Sequence, residues 1–141
     1  MVHKVFVDTD VVISSIISST GAAFHLLNQT HNLKLFLSNI SVIEAEKVAE
    51  RLGLSNEKLK NLSKQRFSII KLEENLEEIR NLFTGYVLDI DDAHIIAGAK
   101  KAESQFLISY NTKHFKADQI KTDFNIILST PANFLQYLRS L

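Results

Sequence analysis

The stretch Lys4-Val5-Phe6-Val7-Asp8-Thr9-Asp10-Val11-Val12 decides how the chain is read. Lys4–Val7 is a short β-branched and aromatic run, the pattern of a buried strand. An apolar helical pattern follows at once over Asp10–Ser18. A strand running straight into a helix opens a βα unit, and Asp8 stands at the strand's carboxyl end. Working outward, Leu33–Leu37, Ser68–Leu72, Gln105–Ser109 and Asn125–Leu128 read as further strands. Between them lie helical patterns over Gly21–His31, over Ile40–Leu52 with Gly53 as its stop, and from Ser55, a suitable cap, to about Phe67. Glu73–Phe83, Asp91–Glu103 and a last segment opening at Thr130-Pro131 complete the set, with Thr130 as cap and Pro131 at the first helical position. Alternating strands and helices imply an α/β fold whose parallel sheet is covered on both faces. In such sheets functional groups gather at the carboxyl ends of the strands.

Length and composition bound what can be built on that frame. At 141 residues the chain is read as one domain, residues 1–141, with no linker and no internal repeat. Hydrophobic residues make up 45% and charged residues 23%, which is ordinary for a folded globular domain. The absence of cysteine excludes disulfides, zinc–thiolate sites and a thiol nucleophile. Lys and Arg number 16, as do Asp and Glu, so a strongly basic nucleic-acid coat is excluded while an enzyme that grips phosphates through a metal is not. No run approaches the roughly 18 apolar residues of a membrane span, and the first residues lack a secretory signal, so a cytoplasmic location is expected.

The usual phosphate cradles, G-x-x-x-x-G-K-[ST] and G-x-G-x-x-G, are missing, as is the G-x-S-x-G nucleophile elbow. The five histidines form no H-E-x-x-H pair, so a histidine-based metal site is not expected. Carboxylates remain. Asp8 suits either a site or an N-cap. Glu44 lies at the edge of a helical face formed by Ala45, Val48, Ala49 and Leu52, with Glu46, Lys47 and Glu50 turned to solvent. A carboxylate beside an apolar stripe requires a partner or a metal. Asp92 shares the inward side of its helix with Ile95, Ile96 and Ala99, and His94 and Lys101 take the outer side. One of Asp89, Asp91 and Asp92 is expected to cap that helix. Asn111 follows the fourth strand, where it suits a turn as well as a site. In a parallel sheet these groups converge on one rim. Clustered carboxylates repel, so the cluster calls for a cation, and all-oxygen donors fit Mg²⁺ or Mn²⁺. Phosphodiester hydrolysis is the natural reaction class for such a centre.

The sequence resembles the PIN-domain ribonucleases, the family that includes the VapC toxins of toxin–antitoxin pairs. The matching pieces are Val7-Asp8-Thr9-Asp10, Ser41-Val42-Ile43-Glu44, Asp91-Asp92-Ala93-His94-Ile95-Ile96-Ala97-Gly98-Ala99, Leu107-Ile108-Ser109-Tyr110-Asn111-Thr112-Lys113-His114-Phe115 and Ser129-Thr130-Pro131-Ala132-Asn133-Phe134-Leu135, in family order along nearly the whole chain. The resemblance implies an α/β/α sandwich with a parallel five-stranded sheet. It implies an acidic triad of Asp8, Glu44 and Asp92 holding Mg²⁺ or Mn²⁺, endoribonuclease activity on RNA, a homodimer and an antitoxin partner. The family's fourth acidic position carries Asn111 here, and Asp10 stands where many members have a small polar residue. Asp10 either compensates for Asn111 as a metal ligand or caps the first helix. Lys113, His114, Lys116 and Lys121 beyond Asn111, and Lys58, Lys60, Lys64 and Arg66 on the helix after Gly53, are either RNA-guiding groups or solvated faces.

Two rival readings stay open. Asp8-Thr9-Asp10-Val11-Val12 also resembles the D-x-D-x-[TV] opening of haloacid-dehalogenase-type phosphatases, with Ser38-Asn39, Lys71 and Asp91-Asp92 as later motifs. That reading leaves Glu44 and Asn111–Phe115 without roles. A non-catalytic PIN module that binds RNA or protein is the other rival.

Overall fold

The computed structural model describes residues 1–141, except for the side chain of Gln29. Five strands, β1 (His3–Val7), β2 (Leu33–Ser38), β3 (Phe67–Ile70), β4 (Phe106–Ile108) and β5 (Ile127–Ser129), form one sheet of order β3-β2-β1-β4-β5. Every pairing is parallel, with Val5 opposite Leu35 and Phe106, and Val7 opposite Ile108. The helices are α1 (Thr9–Ile17), α2 (Ala22–Gln29), α3 (Asn39–Arg51), α4 (Asn56–Arg66), α5 (Leu76–Phe83), α6 (Ala93–Lys101), α7 (Ala117–Phe124) and α8 (Pro131–Arg139).

Side-chain alternation along the strands assigns the two faces. Val5, Val7, Leu35, Leu37, Phe106 and Ile108 point into one core, filled by residues of α1, α2, α3, α4 and α8. Phe6, Phe36 and Leu107 point into the other, with residues of α5, α6 and α7. On that second face α6 comes so close to β1 that a Cβ on Gly98 would lie 2.5 Å from the Phe6 ring. The sandwich is therefore closed by a residue that has no side chain. No single helix among the described residues is long and apolar enough to cross a membrane; α1 and α2 pass that count only as a pair bent by 100°. Their apolar residues Val11, Val12, Leu26 and Leu27 are fully buried in the core.

Several boundaries differ from the sequence reading, each for a local reason. β3 ends at Ile70 rather than Leu72 because the Asn39 side chain takes both backbone groups of Leu72, at 2.8 and 3.3 Å. The last strand excludes Asn125, whose left-handed backbone (φ +56) ends α7. α7 itself has no counterpart in the sequence reading; among its residues only Ile120 is buried, which is too little apolar periodicity to signal a helix. α5 begins at Leu76 rather than Glu73 because Asn75 caps it, accepting from Glu78 N at 2.9 Å. α3 stops as expected, with Gly53 left-handed at φ +70, but Leu52 is exposed rather than part of the buried face.

Candidate metal centre at the carboxyl edge of the sheet

The sheet order reverses at β1: β2 lies on one side of it and β4 on the other. The carboxyl ends of β1 and β4 therefore open a crevice at a topological switch point, where α/β sheets bind ligands. Asp8 stands at that point. Its backbone N–H donates to Ile108 O at 2.9 Å, extending the β1–β4 pairing. Its Oδ1 accepts from Thr9 N at 2.7 Å, and its Oδ2 accepts from Ser109 Oγ at 2.8 Å. Asp8 thus caps α1 and faces the crevice at once. Two residues on, Asp10 Oδ2 accepts from Tyr110 N at 3.1 Å and from Ser109 Oγ at 3.4 Å, while its Oδ1 is buried with no partner among the described residues. Asn111 N donates to Ser109 Oγ at 3.0 Å, which folds the segment after β4 back towards the same oxygens.

Two further acids arrive from helices. Glu44, on α3, is half-buried; its Oε1 accepts from Thr9 Oγ1 at 2.6 Å and its Oε2 lies 3.0 Å from His94 Nε2. Asp92, at the start of α6, is half-buried and makes no capping bond, and its Oδ2 lies 3.6 Å from His114 Nδ1. Asp89 caps not α6 but the short 3-10 turn Ile90–Asp92 before it, accepting from Asp91 N at 2.9 Å, while Asp91 pairs with Arg80 at 2.9 Å. Asp8, Asp10, Glu44, Asp92, Asn111 and His114 line one cleft of about 370 Å³.

The electrostatics follow from that crowding. Burial, and then the charge of Asp10, push the Asp8 carboxyl up to about 8 against the bonds from Ser109 and Thr9. Burial likewise raises Asp10, against bonds from Tyr110 and other neighbours. Asp92 is raised by burial and by Asp89, with His114 opposing. Glu44 behaves differently. Burial would raise it, but the bonds from His94 and Thr9 prevail, and it sits below the usual carboxylate range. The cleft therefore holds one well-compensated carboxylate and three destabilised ones.

That donor set fits a hard divalent cation: the donors are oxygens, they repel one another, and a buried Asp10 oxygen has no partner. Among the described residues, no three acidic or histidine side chains are drawn close enough together to ligate one ion as they stand. Asp8, Glu44, Asp92, Asp10 and Asn111 all reach this cleft. Of the basic candidates only His114 lines it; Lys113 and Lys116 are exposed on the adjoining segment, and Lys121 donates to Asn125 Oδ1. Arg66 is structural, its guanidinium donating to Leu27 O and Thr30 O at the end of α2. Lys58 lines a different cavity, beside α1 and α2, and Lys60 and Lys64 are exposed. For the phosphatase reading, Lys71 is exposed beyond β3 and does not line the cleft, and Asn39 is occupied with Leu72.

His94 is the residue that sequence reasoning misplaced. It is 4% exposed rather than on an outer side, because residues 93–99 of α6 are buried throughout, with α3 and α5 packed against the helix as well as the sheet. The available signal was the company it keeps, a histidine set in the apolar run Ala93-His94-Ile95-Ile96-Ala97.

Comparisons with known proteins agree with this architecture. A chain of the toxin–antitoxin complex from Klebsiella pneumoniae superposes with a TM-score of 0.62 at 23% identity, covering 90% of this chain and 97% of that one. A chain of VapBC2 from Rickettsia felis, solved bound to a DNA fragment from its promoter, superposes with a TM-score of 0.60 at 16% identity, covering 90% and 98%. At these identities the likeness is one of fold. A search of curated proteins finds no match. The PIN domain family model matches residues 4–113, a span that includes β1, the acidic cleft and the segment after β4. A parallel five-stranded sheet, an acidic cleft at its switch point and this match together make the chain a member of the PIN domain family.

Proposed function

We propose that the protein is a divalent-metal-dependent endoribonuclease, the toxin of a toxin–antitoxin pair, formed by residues 1–141 as a single PIN domain. The observation that carries this reading is the convergence of Asp8, Asp10, Glu44 and Asp92 on one cleft, with the Asp8 carboxyl pushed up to about 8. So much unfavourable negative charge is worth keeping where a cation occupies the cleft.

Asp8, Glu44 and Asp92 would hold Mg²⁺ or Mn²⁺, with Asp10 supplying the charge that Asn111 lacks and Asn111 an amide oxygen. A divalent ion bound there lowers the pKa of water and offsets charge on a phosphoryl group. The remaining chemistry belongs to the chain. Ser109 fixes Asp8 and Asp10 together, and Thr9 ties Glu44 to the same end of α1. His114 at the cleft and Lys113 and Lys116 beside it would meet the RNA backbone by charge.

The two solved structures compared above are toxin–antitoxin complexes, which supports an antitoxin as partner. The same family likeness supports a homodimer, and an RNA target is consistent with action in the cytoplasm. The test is cleavage of end-labelled RNA by wild type and Asp92→Asn, each with Mn²⁺, Mg²⁺ and chelator. Cutting by wild type alone, and only with metal, is the expected result. RNA retention without cleavage at any metal concentration would favour a non-catalytic module instead.

A further inference from the structure

Glu44, with Val48, stands between two cavities. It lines the acidic cleft and also a neighbouring space of about 620 Å³, bordered by Ile40, Ile43, Leu76 and Ile79. A glutamate with open space on both sides can place its carboxylate in either. His94 lines only the larger space, and Thr9 lines only the cleft. The ring is 4% exposed, within a helix whose residues 93–99 are all buried. Its Nε2 lies 3.0 Å from Glu44 Oε2, and its Nδ1 has no partner among the described residues. A carboxylate has no proton to give, so the hydrogen of this bond is on Nε2. On the cleft side, Thr9 Oγ1 holds the other oxygen at 2.6 Å.

We propose that His94 is a positioning residue of the acidic centre: its Nε2–H holds Glu44 Oε2 while Thr9 holds Oε1, so the carboxylate is fixed between the two cavities with Oε1 presented to the cleft of Asp8 and Asp92. The inference rests on reading the cleft as a metal centre. Its physical basis is general, since groups that orient a ligand carboxylate govern metal affinity without touching the metal.

The test uses the full chain and Mn²⁺ alone. His94→Leu fills the ring's space without a donor. His94→Gln sets an amide N–H near the place of Nε2, and His94→Asn sets one near Nδ1, short of Glu44. Calorimetric titration should show Mn²⁺ binding about 10- to 100-fold weaker for Leu and Asn, with Gln recovering most of the loss, while thermal unfolding shows each variant folded. Folded Leu and Asn variants that bind as wild type does would overturn the proposal. So would a Gln variant as weak as Leu, since the ring would then act by packing alone. A second measurement needs neither metal nor a His94 variant. By nitrogen-15 NMR the His94 Nε2 proton should exchange slowly in wild type and quickly in Glu44→Ala. Equal exchange in the two would also overturn it. If wild type binds no Mn²⁺ while this difference is present, the metal-centre reading fails and the tie between His94 and Glu44 stands.

Discussion

The two cavities that share Glu44 differ in how their charges are settled. The larger, of about 620 Å³, has an apolar lining from Ile40, Val48, Leu76, Ile79 and Ile90; its Arg80 and Asp91 are paired at 2.9 Å, and its Lys47 and Arg51 are solvent-exposed. The smaller, of about 370 Å³, holds Asp8, whose pKa is raised by burial and then by the charges of Asp10 and Asp92. Size points to the larger one and unrelieved carboxylate charge to the smaller. Unrelieved charge in a concave site marks function better than volume does, because natural folds leave buried charge uncompensated only where something else compensates it.

The largest effect that tests this contrast comes from Asp8→Asn. Cleavage should fall on the order of 10²-fold or more, since a ligand and its charge are lost. Stability should move the other way. Asp8 has a folded-state pKa of about 8 against an ordinary value of 3.8. The folded state therefore binds more protons between those values, and metal-free wild type loses stability as pH rises from about 4 to about 8, by up to a few kcal/mol. The neutral asparagine escapes this loss. Thermal unfolding in chelator at pH 5 and pH 8 should show Asp8→Asn gaining on wild type at the higher pH. A variant that is inactive and also less stable at pH 8 would mean that Asp8 is held for structure.

Ile79→Ala carries the same question to the other cavity. Ile79 is 1% exposed, and truncating such a side chain costs about 2–5 kcal/mol. Denaturant unfolding should register that cost, while cleavage by the folded fraction stays near wild type. A selective loss of cleavage would give the larger cavity a part in the chemistry. Arg80→Ala should change least. It breaks an ion pair whose side chains are 41% and 71% exposed, worth about 0.2–1 kcal/mol. A drop in RNA cleavage without a drop in stability would show that this arginine meets substrate.

Much of the site was legible in the chain because strand ends are legible. Apolar runs stop where the chain leaves the sheet, so Val7-Asp8 and Ile108-Ser109-Tyr110-Asn111 fixed both the strands and the residues at their carboxyl ends. Glu44 and Asp92 were found from their places beside an apolar stripe, which a helical wheel reveals. The wheel failed for His94 and Leu52 because it assumes one covered side. α6 is covered all round, so a position opposite the sheet is still buried. Leu52 is the residue that ends α3, where the helix stops at its exposed C-cap. α7 left no trace because one buried residue makes no period.

Sequence by itself determined the alternation of strands and helices, the carboxylates at their junctions and the resemblance to PIN domains, since each is written in local patterns a few residues long. Tertiary structure alone decided which distant groups meet. Ser109 bonds Asp8 from 101 positions away, and His94 reaches Glu44 across 50. It also decided the electrostatics, because a carboxylate's pKa depends on the burial and charge around it, and those neighbours are set by packing rather than by order along the chain.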